Sequence, residues 1–93
     1  MTSVLNVNVA KRKSMVMLST EYGEVLIEPK EIKHNLKDFD ELKNQIDSLK
    51  LEDLTIFMES TGIYHLPVER YFKENNFNTL VINSLTTKNN YDT

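Results

Sequence analysis

The apolar positions nearest the N-terminus alternate. Leu5, Val7 and Val9 are separated by Asn6 and Asn8, a period of two that predicts a strand over Val4–Val9 with both asparagines on one face. Ala10–Ser14 is polar and basic and reads as a connection, with Met15–Ser19 a second strand. Glu21-Tyr22-Gly23-Glu24 predicts a turn in which Gly23 takes the positive φ. Val25–Glu28 is a third strand, ended by Pro29, which has no amide hydrogen to give to a ladder. Three short strands with short connections predict an antiparallel meander.

From Asp38 the period becomes helical. Phe39, Leu42, Ile46 and Leu49 fall on one stripe, with Lys43, Asn44, Asp47 and Lys50 opposite. Asp38 followed by Glu41 reads as a capping box that starts the helix, which runs to about Lys50. Leu54–Met58 lacks polar alternation, as expected of a strand covered on both faces. It delivers Glu59 to its carboxyl end, and Ser60-Thr61-Gly62 turns the chain into a second helix. There Tyr64, Val68, Tyr71 and Phe72 share one face while Glu69, Arg70, Lys73 and Glu74 face out. Pro67 is tolerated in the first turn, which makes Ile63–His65 an irregular lead-in. Asn75-Asn76 supplies a left-handed end, and Thr79–Asn83 is a fifth strand. Residues 84–93 are polar, without periodicity, and read as a frayed tail.

The predicted order is β-β-β-α-β-α-β: one α/β domain over residues 1–93 with a five-stranded mixed sheet and a right-handed final β-α-β crossover. Two helices are too few to cover both faces of such a sheet. Apolar surface should therefore remain for a partner chain or a further segment.

Composition narrows the chemistry. The chain has no cysteine, which excludes disulfides and Cys-ligated zinc, and His34 and His65 are too far apart in sequence for ligand spacing. There is no apolar run of the ~20 residues a membrane helix needs and no signal-peptide pattern at the N-terminus, so a cytoplasmic location is expected. A net charge of −3 argues against nucleic-acid binding by bulk charge. The distribution is uneven, however. Lys11, Arg12 and Lys13 form a cluster that reads either as a solvated hairpin turn or as a phosphate contact, while acids gather over residues 38–53.

Glu59 is the residue with the clearest chemical interest. A carboxylate ending an apolar strand is costly to desolvate without a partner, a proton or a metal. The carboxyl ends of strands in open α/β sheets are also where ligand crevices form. The competing reading is a solvated residue opening a loop. Around it, Thr61 and Gly62 read as turn-shaping, Tyr64 and Tyr71 as core or interface aromatics, His65 as an exposed helix residue, and Asn83 as a possible border of the same crevice.

Three stretches carry a family resemblance. NVNVAKRK (Asn6–Lys13), MESTGIYHLP (Met58–Pro67) and FNTLVINSLTTKN (Phe77–Asn89) resemble the N-terminal domain of the DEDD transposases. These are the Piv-like, RuvC-like recombinases of the insertion-sequence family numbered one hundred and ten. Members open with a G-I-D-V-A/S-K strand, continue with M-E-A-T-G-x-Y and a helix containing L-P, and then reach a strand ending V-N-P. The resemblance implies a ribonuclease-H-like fold, DNA as partner, a guide RNA for the full-length family, and a site of four carboxylates that holds Mg²⁺. Carried over residue by residue, Glu59 matches the family's Glu. Asn8 stands at the first-strand Asp, Asn6 at the glycine before it, and Ser84 at the usual Pro. The two later Asp have no counterpart, and Asp92 cannot be equated with either.

An amide at position 8 leaves Glu59 as the remaining carboxylate of the four. The resemblance then implies a truncated or altered transposase domain, inactive alone, binding metal weakly through Glu59 and DNA weakly through Lys11, Arg12 and Lys13. Open sheet faces or edges imply a homo-oligomer. The alternative is a non-catalytic protein- or RNA-binding assembly module on the same fold. A sugar-kinase or actin-like nucleotide site ranks last, because Ala10-Lys11-Arg12-Lys13 lacks the glycine-rich, hydroxyl-bearing turn such a site needs.

Overall fold

The computed structural model describes residues 2–83. In order, these form β1 (Thr2–Val9), β2 (Lys13–Thr20), β3 (Val25–Lys33), α1 (Leu36–Ser48), β4 (Asp53–Ser60), α2 (Leu66–Glu74) and β5 (Asn78–Asn83). One five-stranded sheet runs β3-β2-β1-β4-β5. The first three strands are an antiparallel meander, and β4 lies parallel to both β1 and β5. This is the ribonuclease-H-like layout. The tail over residues 84–93, with Ser84 and Asp92, lies outside the described residues.

Register sorts the side chains of the central strands into two faces. Leu5 pairs with Leu18 and Ile56, and Val7 with Val16 and Met58. All six are buried in one cluster with Phe39, Leu42 and Ile46 of α1 and with Val68 and Phe72 of α2. Both helices therefore cover the same side of the sheet. The intervening positions point the other way. Asn6 and Asn8 are exposed there, as are Met15, Glu59, Leu80 and Ile82, while Met17 and Phe57 are half-buried. The expectation that β4 is covered on both faces fails among the described residues. Its apolar run hid an alternation, because Thr55 and Phe57 occupy the open face while Ile56 and Met58 fill the core.

Several boundaries differ from the sequence reading, each for a local reason. β3 does not stop at Pro29 but continues to Lys33. The β2–β3 register shifts between Val16 and Leu18, and an irregularity on an edge strand is where a proline is tolerated. The connection predicted over Ala10–Ser14 shortens to the hairpin tip, closed by Ala10 N–H donating to the Lys13 carbonyl at 2.9 Å. Helix α1 begins before Asp38. Asn35 is its N-cap, accepting from the Asp38 amide at 2.8 Å, and the Asp38 carboxylate accepts from the Lys33 amide at 2.7 Å. Leu49 is the C-cap and partly exposed.

Gly23 adopts φ +88° in its turn, and Asn76 takes φ 68° behind α2, as the sequence predicts. Pro67 lies in the first turn of α2. The two helices meet through rings. Phe39 and Phe72 both pack on Tyr71, each at 5.2 Å between centroids, and the Tyr71 hydroxyl donates to Asp40. Burial and Asp40 push that phenol up to about 12.

Candidate functional site at the carboxyl ends of the parallel strands

Strand direction gathers the chemistry at one end of the sheet. The β1–β2 hairpin tip, the end of β3, the turn between β4 and α2 and the end of β5 all lie there. Asn8 and Glu59 are register partners across the parallel β1–β4 pair. Neighbouring strands are about 4.8 Å apart and in-register residues share a face, so the two side chains stand side by side on the open face. Glu59 lies within β4 rather than after it, since the strand runs to Ser60. Ile82 is its register partner on the other side.

The turn behind Glu59 is held on one carbonyl. The Gly62 oxygen accepts from Asn83 Nδ2 at 3.2 Å and from the Ser60 hydroxyl at 3.3 Å, and His65 Nδ1 lies 3.0 Å away. Three residues separated in sequence thus converge on the segment that follows the acid. His65 is a half-buried N-cap residue rather than an exposed helix residue, with Nε2 3.8 Å from Glu69. Asn83 borders this turn. Gly62 has no positive φ, and a Cβ there would meet only the Tyr64 ring at 3.7 Å.

Tyr64 is not in the core. Its ring lies over Gly62 with 41% of the residue exposed. It lines a groove of about 670 Å³ together with Lys11, Arg12, Lys13, Lys33 and Pro67. The basic cluster is thereby joined by Lys33 and Tyr64, which the sequence reading did not connect with it. Lys33 reaches this groove because β3 runs past Pro29. Lys13 is paired with Glu31 at 3.2 Å in an exposed ion pair. Asn8 lines a different depression, of about 340 Å³, with Asn6, Met15, Met17 and Pro29. The acid–amide pair and the basic groove share an end of the sheet but not a cavity.

The sequence matches the transposases of the DEDD type, insertion-sequence family 110, over residues 7–93. The chain belongs to that family. No curated protein matches it. Solved structures of similar fold include a Ppx/GppA family member from Aquifex aeolicus, with 13% identity, 88% of this chain and 35% of that one covered, and a TM-score of 0.50. An exopolyphosphatase from Cytophaga hutchinsonii aligns at 11% identity over 87% of this chain and 34% of its own, with a TM-score of 0.49. The chain thus spans about a third of the length of these structures, and the first likeness is one of fold.

Family membership implies a divalent-metal site. The donor set at Asn8 and Glu59 is one amide and one carboxylate, and no group of three His, Cys, Asp or Glu side chains comes together among the described residues. A hard dication takes about six oxygen ligands, with carboxylates neutralising its charge. This pair does not fit a two-metal site. No helix among the described residues is long and apolar enough to cross a membrane.

Proposed function

We propose that the chain is a single RuvC-like unit, the early part of a transposase catalytic domain, with Glu59 as the acid it retains and Asn8 in place of the first-strand acid. The observation that supports this most is the in-register pairing of Asn8 with Glu59 at the carboxyl ends of the two central parallel strands. In the intact family site, carboxylates at such positions would hold Mg²⁺. Here an amide oxygen, neutral and a weaker ligand, stands beside Glu59, the one carboxylate of the pair, and among the described residues no further acid joins them, so Glu59 binds the ion weakly.

By itself the chain neither cuts nor joins DNA. A phosphodiester displacement of the two-metal kind needs charge on both the attacking and the leaving oxygen, and one carboxylate does not supply that clamp. Lys11, Arg12 and Lys13 serve as backbone contacts to DNA, and to guide RNA in a full-length protein, in the cytoplasm. The test incubates the pure 93-residue chain with end-labelled duplex and branched DNA in Mg²⁺ or Mn²⁺. The expected outcome is no metal-dependent product. Cleavage that appears with metal and vanishes in Glu59→Gln would contradict it.

The second reading is a non-catalytic assembly module. Met15, Leu80 and Ile82, exposed among the described residues on the sheet face away from both helices, favour it, because monomeric proteins rarely leave apolar patches open. The two readings part on whether a restored acid at position 8 creates a cation site.

A further inference from the structure

The groove at the hairpin tip combines two features the acid–amide pair does not use. Four cations, Lys11, Arg12, Lys13 and Lys33, line it against one carboxylate, Glu31, in a chain whose net charge is −3. Among the described residues Glu31 pairs with Lys13, and Lys11, Arg12 and Lys33 make no ion pair. Concentrating unpaired cations in a concavity raises the local potential for a polyanion. The second feature is Tyr64. Its ring lies on the side of Gly62 where a side chain would stand, packs on no other aromatic ring among the described residues, and stays 41% exposed at the groove wall.

From the juxtaposition of this open ring with the cations we infer a binding site for single-stranded nucleic acid, Tyr64 stacking on one base while Lys11, Arg12 and Lys33 hold the flanking phosphates. This deepens the reading of the basic cluster as a nucleic-acid contact and rests on it. A duplex keeps its base faces stacked inside and offers Tyr64 nothing but backbone, whereas an unpaired strand presents a free π-face beside its charges. A groove of about 670 Å³ is also within the roughly 300–1,000 Å³ typical of ligand clefts. Neither feature specifies the sugar, so DNA and RNA strands share this chemistry.

The experiment measures anisotropy of labelled oligo-dT, oligo-rU and a duplex of equal length with the full chain at several salt concentrations. Single strands are expected to bind more tightly than duplex. Preference between oligo-dT and oligo-rU identifies which source is used. Tyr64→Ala should weaken single-strand binding by about tenfold and Tyr64→Trp should restore it, with unchanged circular dichroism in both. Lys33→Gln should reduce the slope of log affinity against log salt by about 0.7. Equal single-strand and duplex binding with Tyr64→Ala neutral would overturn the stacking site and leave the basic cluster a plain duplex contact. Absence of binding to every probe, or equal displacement by polyglutamate, would overturn both.

Discussion

His34 joins the end of β3 to the start of β2. Its Nε2 lies 2.8 Å from the hydroxyl of the buried Ser14, and its ring is 6.2 Å from that of Phe39. Burial lowers its pKa below the ordinary 6.5, so the folded chain resists taking the proton that the unfolded chain accepts. The unfolded state then binds more protons just below pH 6.5, and stability rises with pH through that window. His34 therefore contributes fully above its unfolded pKa, and that contribution is lost as pH falls toward its folded pKa. Between about pH 7.5 and about pH 5.5, the urea midpoint should drop further for the native chain than for His34→Gln. Equal drops would show that His34 does not set the dependence. The residue could be found in the sequence, but its partner could not. In the sequence Ser14 ends a polar connection, and only the shortened hairpin puts it on the inner face of β2.

At the scale of elements, the two edges of the sheet differ. β3 carries Pro29, Lys30 and Lys33 and shifts register against β2, devices that discourage another strand from pairing. β5, NTLVIN, has neither proline nor charge, and its Leu80 and Ile82 are 47% and 44% exposed. The chain should self-associate through this strand and the open face beside it. Light scattering should give a mass above the monomer, and Leu80→Lys with Ile82→Lys should return it to monomer. A native chain that is already monomeric would exclude this. The order of elements was legible because their periods are clean: Leu5-Val7-Val9 for a strand and Phe39-Leu42-Ile46 for a helix. Ends were less so. Asn35 caps α1 ahead of an exposed Leu36-Lys37 start that leaves the apolar stripe to begin at Phe39, whereas Asp38-Glu41 has the form of a competing capping box. Pro29 predicts too early an end to β3 because an edge irregularity is a property of pairing, not of the strand alone. Tyr64 fitted the helical stripe but precedes the helix, so its ring turns onto Gly62 and the groove instead.

At the scale of the whole molecule, one arrangement organises the rest. Both helices pack on one side, which leaves the opposite face of β1 and β4 uncovered among the described residues and places Asn8 beside Glu59 on it. The sequence put Glu59 at the carboxyl end of a strand. Its neighbour followed only from resemblance, because parallel register between residues 8 and 59 depends on how the intervening meander and helix fold back. On the proposed reading these two positions are adjacent ligand positions, one of them emptied of charge. The most direct measurement is a Mn²⁺ titration by electron paramagnetic resonance of the native chain, Asn8→Asp, and Asn8→Asp combined with Glu59→Gln. Two carboxylates on one face should bind the ion at least about tenfold more tightly than the native pair, and the gain should disappear when Glu59 is neutralised. An Asn8→Asp chain that folds normally yet binds Mn²⁺ no better than the native one would contradict it.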